Sequence, residues 1–192
     1  ALTVLSVGAA WIALNAWSAL FVFLGAFFYA IVYTVWLKRR TWLNIVFGGL
    51  AGSWAVLAGA AAADPHLGAV PLALAFVLFL WTPPHFWSLA IAFREDYKAA
   101  GVPMLPVVVG DQRAAQTIFY STLALVAASF LPLAFGLGAI YAIGAAAGGF
   151  LFIRKAWRLA QEPTRKTAMA CFFSSLIQLT LVLLAAIIDA RL

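Results

Sequence analysis

Apolar residues run through this chain in blocks of about twenty, apolar on every side and separated by short polar connections. Blocks of that length match the thickness of a bilayer crossed by a helix. They predict spans near 1–14, 18–37, 44–62, 70–92, 116–136, 140–157 and 168–188. A transmembrane barrel would instead show short segments of alternating polarity. The expected fold is therefore all-α, a polytopic transmembrane helix bundle, with residues 1–192 forming one membrane domain of about seven spans. The first block is short and begins at Ala1 with neither an initiator Met nor a polar leader, so the natural N-terminus is expected to lie upstream.

Composition agrees. Hydrophobic residues make up 66% of the chain and charged residues 9%, and mean hydropathy is +1.05, which excludes a soluble domain. The single cysteine, Cys171, lies inside an apolar block, so there is no disulfide framework.

Charge sets the orientation. If the spans alternate, the connections after the second, fourth and sixth share one side. They carry eleven of the twelve basic residues, from Lys38, Arg39 and Arg40 to Arg165 and Lys166, with only Arg191 opposite. That bias marks the cytoplasmic face of a bacterial membrane or the matrix face of a mitochondrial one. Glu95, Asp96, Asp111 and Glu162 lie on the same side, so an active site would open there.

One stretch concentrates both helix breakers and charge: "WTPPHFWSLAIAFREDYKAAGVPMLP", residues 81–106. Pro83 and Pro84 each remove an amide donor inside the fourth span and free carbonyls near Phe79 and Leu80, which predicts a kink facing other helices or a wet cavity. If the helix resumes, His85, Ser88, Ala92 and Asp96 share one stripe, with His85 roughly 12 Å below the charged end. An ionisable group inside a membrane is a candidate for function. Two readings stay open for each: His85 in a site or capping a freed carbonyl, and Asp96 in a site or pairing with Arg94 or Lys98.

"YTVWLKRRTWLNIVFGG" and the 81–106 stretch, with the span lengths between them, resemble the haem O synthase (protoheme IX farnesyltransferase) branch of the intramembrane UbiA-type prenyltransferases. The resemblance runs through the whole chain in order. It implies about nine helices around a cavity open to the cytoplasm, in the inner membrane. The implied reaction transfers farnesyl from farnesyl diphosphate to a vinyl group of haem B, adding water and releasing pyrophosphate, with Mg2+ as cofactor. Where the branch carries a proline pair, this chain has Ser53, Trp54 and Ala55. The branch's first acidic motif is absent and would belong upstream of Ala1, so the isolated chain is expected to be inactive.

That chemistry assigns candidates. Lys38, Arg39, Arg40, Arg94 and Lys98 are candidate clamps for diphosphate or haem propionates. Asn44, beside Thr41, touches phosphate or caps a helix. Asp96, with Glu95 second, is the candidate Mg2+ ligand. Asp111 and Glu162 stand away from the basic cluster in sequence. Trp81, Phe86 and Trp87 would face an allylic cation and exclude water. Asp96 and His85 are the catalytic candidates, His85 as a ligand to haem iron or as the holder of a water. Expected partners are haem B, farnesyl diphosphate, the bilayer and, as a candidate, haem A synthase; no nucleic acid is expected.

Two other classes compete. Quinone and chlorophyll prenyltransferases usually carry paired carboxylates four residues apart, and here Asp96 is followed at that offset by Ala100. A transporter or haem-holding assembly factor would more often show broken helices in both halves, whereas this chain shows one break. Gly48, Gly52 and Gly59, and Gly144 with Gly148, predict close helix contacts. Ser174 and Gln178 predict hydrogen bonds between helices.

Overall fold

A computed structural model describes residues 2–190. Its helices are α1 (Leu2–Ala13), α2 (Ala16–Phe27), α3 (Asn44–Gly48), α4 (Leu50–Ala63), α5 (Ala69–Ala92), α6 (Arg94–Ala99), α7 (Leu105–Val109), α8 (Asp111–Ala128), α9 (Ala139–Gln161) and α10 (Arg165–Asp189). A π-helical segment, Phe28–Leu37, continues α2. Six spans are long and apolar enough to cross a membrane, Ala16–Leu37, Asn44–Ala63, Ala69–Ala92, Asp111–Phe135, Ala139–Gln161 and Arg165–Asp189, and α1 is a shorter apolar helix. The chain is a multi-pass membrane protein. Arg191 lies outside the described residues.

Three spans reach further into polar sequence than hydropathy predicts. The fifth starts at Asp111 rather than 116, the sixth ends at Gln161 rather than 157, and the seventh starts at Arg165 rather than 168. A helix continues as long as its backbone bonds propagate, whereas apolarity stops at the headgroups. Thr164 caps the last helix with a reciprocal bond to Thr167.

The kink segment departs from expectation more sharply. Pro83 and Pro84 sit buried inside a helix assigned without interruption to Ala92, and the break comes at Phe93 (φ −122°, ψ 33°). α6 restarts at Arg94. Asp96 therefore does not extend the His85 and Ser88 stripe along one helix.

Helix α5 is the central element, packed against α4, α8 and α10, while α9 pairs with α10 and α2 with α4. Small residues permit the closest contacts. A Cβ on Gly144 would stand 2.5 Å from that of Ala185, and one on Gly148 would stand 2.9 Å from the Cα of Gln178. Gly59 faces open space, so the predicted ridge on the third span is shorter than expected. Ser53 donates to the Ala75 carbonyl at 2.9 Å and Ser18 to that of Ala58 at 2.7 Å. Gln178 reaches Ser129 across helices at 3.4 Å, whereas Ser174 bonds only within its own helix, to the Cys171 carbonyl.

The connections after the π segment, between α5 and α8, and between α9 and α10 share one end of the bundle, as Lys38 with Asp96 on one cavity and Gln112 bonded to the Ala160 carbonyl show. At the opposite end, Asp189 accepts from the amides of Gly138, Ile140 and Tyr141.

Candidate active site

An apolar cavity of about 330 Å³ lies between the π segment, α3 with α4, and α5. Tyr29, Tyr33, Leu78, Trp81, Thr82 and Phe86 line it, together with glycines of α3 and α4. The π geometry is visible in bonds to the fifth residue back: the Lys38 amide to the Tyr33 carbonyl at 2.8 Å and the Thr34 hydroxyl to the Tyr29 carbonyl at 2.7 Å. Such segments are often found at functional sites. Gly48 and Gly49 keep the wall thin, since a Cβ would stand 2.8 Å from the Tyr33 ring and 2.9 Å from the Thr82 Cβ. Proline cannot donate to the turn before it, and Thr82, just ahead of the pair, turns its hydroxyl back to the Leu78 carbonyl at 2.9 Å.

Charge comes near the apolar cavity at Lys38, whose Nζ lies 5.9 Å from the centroid of the Tyr33 ring that lines it. Lys38 also lines a second cavity, of about 350 Å³, with Phe93, Asp96 and Tyr97. Burial raises the pKa of the Tyr97 phenol, so it is a neutral hydrogen-bonding group there. On the other side of Asp96 a third cavity, of about 320 Å³, is lined by Arg94, Glu95, Asp96, Asp111 and Arg165. Arg94 is engaged there by Asp111 at 3.5 Å, and the Arg165 guanidinium lies over the Phe93 ring at 5.3 Å. Among the described residues Asp96 and Glu95 are exposed and take part in no ion pair. Arg94 is thus diverted from Asp96 to Asp111, whose distance in sequence concealed its place in the cluster.

His85 is buried between two aromatic faces, Trp81 at 4.0 Å and Phe172 at 4.5 Å, with Phe86 edge-on at 5.0 Å. Its Nδ1 lies 2.7 Å from the Ser175 hydroxyl, which donates its one proton to the Phe172 carbonyl at 2.6 Å. The serine oxygen must therefore accept from Nδ1–H, which leaves the lone pair of the neutral ring on Nε2. Trp81 fixes the same seam by donating to the Ser175 carbonyl at 2.9 Å. The histidine caps no proline-freed carbonyl; it belongs to the α5–α10 interface.

The remaining candidates divide. Trp81 and Phe86 line the apolar cavity, whereas Trp87 is buried in the main core and packs on Trp42 at 6.1 Å. Asn44 is fully buried and holds the Lys38 carbonyl through its amide at 3.0 Å, so it positions the basic turn from below. Arg39, Arg40 and Lys98 are exposed and line none of these three cavities. Tyr33, Tyr97, Asp111 and Arg165 line these cavities, while Phe172 and Ser175 hold His85, which lines none of the three. A tyrosine four residues from another was the one legible hint.

The chain is thus a polytopic membrane protein whose helical bundle holds an apolar cavity and, at its charged end, two cavities bordered by Lys38, Arg94, Asp96 and Asp111. Residues 1–177 match the UbiA prenyltransferase family, and the chain belongs to it. Protoheme IX farnesyltransferase 2 of Paramagnetospirillum magneticum is 59% identical over 189 residues, 98% of this chain and 66% of that protein. Protoheme IX farnesyltransferase 1 of the same organism is 51% identical over 172 residues, covering 89% and 61%. Protoheme IX farnesyltransferase of Gloeobacter violaceus is 45% identical over 178 residues, covering 92% and 58%. The chain thus spans 58–66% of the length of these relatives. A solved structure from work on digeranylgeranylglyceryl phosphate synthase in membranes shares the fold, with TM-score 0.81 and 23% identity over 98% of this chain and 66% of that one.

Proposed function

We propose that the protein to which this chain belongs transfers the farnesyl group of farnesyl diphosphate to a vinyl group of haem B, giving haem O. The observation that carries this reading is Lys38, placed over the ring of Tyr33, which lines the apolar cavity, and itself bordering the cavity that Asp96 lines. A prenyl diphosphate has that same division, an apolar chain joined to a polyanion. The names of the relatives supply the acceptor.

In this reading the chain lies against Tyr29, Leu78, Trp81 and Phe86, and the diphosphate meets Lys38 and Tyr97. Asp96, with Glu95 beside it, fits a Mg2+ ion held jointly with phosphate oxygens, because both carboxylates are exposed and unpaired and Mg2+ commonly takes one or two carboxylates plus substrate phosphates. Bound there, the ion would neutralise the leaving charge. Breaking the C1–O bond releases pyrophosphate and an allylic cation, which the faces of Trp81 and Phe86 stabilise while excluding water. The vinyl group attacks that cation, and water then adds to the resulting carbocation with loss of a proton. His85 lines none of the three cavities and stands behind Trp81 at 4.0 Å, so its role in this reading, taking that proton or ligating the haem iron through Nε2, requires that the seam with α10 part.

The charged end faces the cytoplasm across the inner membrane, on the strength of the basic bias. The test is incubation of the full-length protein with haem B, farnesyl diphosphate and Mg2+, followed by mass spectrometry. Haem O is the expected product. Farnesylation of a quinone precursor but not of haem would replace this reading with another branch of the family.

A further inference from the structure

Away from the candidate site, a cleft of about 560 Å³ opens at the charged end between the last turns of α9 and the first turns of α10. Lys155, Arg158 and Lys166 line it with one carboxylate, Glu162, so three positive charges against one negative leave a net +2. Among the described residues the ion pairs join Asp64 to His66 and Arg94 to Asp111, and none involves these four groups. The hydroxyls of Thr164 and Thr167 are consumed in capping α10, so the three cations and the Gln161 amide are among the side-chain donors that remain. Orientation in the membrane requires positive charge on this face, but it does not require three cations around one concavity.

The surroundings identify the anion. Lys166, Ala170, Phe173 and Ile177 follow one another at helical spacing along α10, and Phe173 and Ile177 are 55% and 47% exposed. Trp157, also on the cleft, is 51% exposed, as suits an aromatic at the headgroup level. A charged cleft thus continues into an apolar track descending into the bilayer. We propose that this cleft binds the headgroup of an anionic phospholipid, its phosphate seated among Lys155, Arg158 and Lys166 and an acyl chain lying along Phe173 and Ile177. Basic pockets between transmembrane helices suit such headgroups, and Arg158 can engage two phosphate oxygens at once.

The experiment uses the full-length protein in detergent, with phosphatidylglycerol or phosphatidylcholine of identical acyl chains and native mass spectrometry as the readout. The wild type is expected to retain phosphatidylglycerol preferentially. The double variant R158Q/K166Q is expected to lose about 25-fold of that preference, from roughly 1 kcal/mol per removed charge. R113Q, an exposed charge of the same face outside the cleft, should leave it unchanged. Because all three side chains are exposed, unchanged melting in phosphatidylcholine verifies folding. Equal retention of the two lipids by the wild type, or the same loss in R113Q, would overturn the proposal. Complete displacement by millimolar glycerol phosphate would overturn it too, by assigning the cleft to a soluble phosphate.

Discussion

Ser175 on α10 accepts the Nδ1 proton of His85 on α5 across 2.7 Å, because its own proton is held by the Phe172 carbonyl. One helix therefore decides which nitrogen of the other helix's histidine is free. Ser175→Ala removes the acceptor and lets the ring exchange tautomers. In ¹⁵N-histidine NMR, the wild type should show His85 with a protonated Nδ1 and a bare Nε2, and the variant a mixture. A single hydrogen bond inside a membrane is worth roughly 0.6 kcal/mol, so stability should fall only slightly. A bare Nδ1 in the wild type would contradict the assignment.

At the polar mouth, Asp96→Asn is expected to lower turnover of the full-length protein by at least about 100-fold, the scale of losing an electrostatic partner of a developing charge. His85→Ala should act mainly on the use of haem. Glu95→Gln should cost less than Asp96→Asn, since Asp96 borders two cavities at this end and Glu95 only one of them. Steady-state kinetics varying each substrate separates these effects, and equal losses in Asp96→Asn and Glu95→Gln would deny Asp96 its primary place.

Asp111→Asn offers a different outcome. It releases Arg94 from its 3.5 Å partner, and the freed guanidinium can then pair with Asp96. Turnover should fall, and the Mg2+ concentration for half-maximal activity should rise severalfold as the cation competes for that carboxylate. An unchanged Mg2+ dependence would show that Arg94 stays where it is.

The apolar cavity can be narrowed from its glycine wall. Gly49→Val places branched atoms where a Cβ alone stands 2.9 Å from Thr82, and Gly48→Ala presses on the Tyr33 ring at 2.8 Å. Close packing of this kind typically costs 1–3 kcal/mol when filled. Both variants should raise the KM for farnesyl diphosphate more than that for geranyl diphosphate. An equal rise for both would mean that the chain lies elsewhere.

Topology is open to a direct check. Cysteines introduced at Asp96 and Arg158 should resist impermeant maleimide in intact cells, while one at His66 should react. Labelling at position 96 from outside would place the site on the opposite face.

Legibility followed the kind of force involved. The spans were readable because burial in lipid is written in composition, and the basic face because it is written in loop charge. Lys38, Asp96, Trp81 and Phe86, which line cavities, are legible as candidates because each lies in a stretch whose residue types are unusual for a membrane. Asp111 was set aside because it is fifteen residues from Asp96, and only the turns at Gly101 (φ +67°) and Gly110 (φ +83°) bring α8 back beside α6. The proline pair suggested a break that instead falls at Phe93, and with it the single stripe from His85 to Asp96 disappears. Ser175 lies ninety residues from His85. No local pattern could join them.

The Asp189 carboxylate holds three amides at the start of α9, Tyr141 anchors to the Ser129 carbonyl at 2.8 Å, and Gly144 lies under Ala185. That end of the bundle is a clasp. Its counterpart, where the cavities open, is spanned by short helices and two glycine turns. Ties between helices are thus concentrated at the Asp189 end, so amide hydrogen exchange is expected to be slowest there and fastest at α6 and α7.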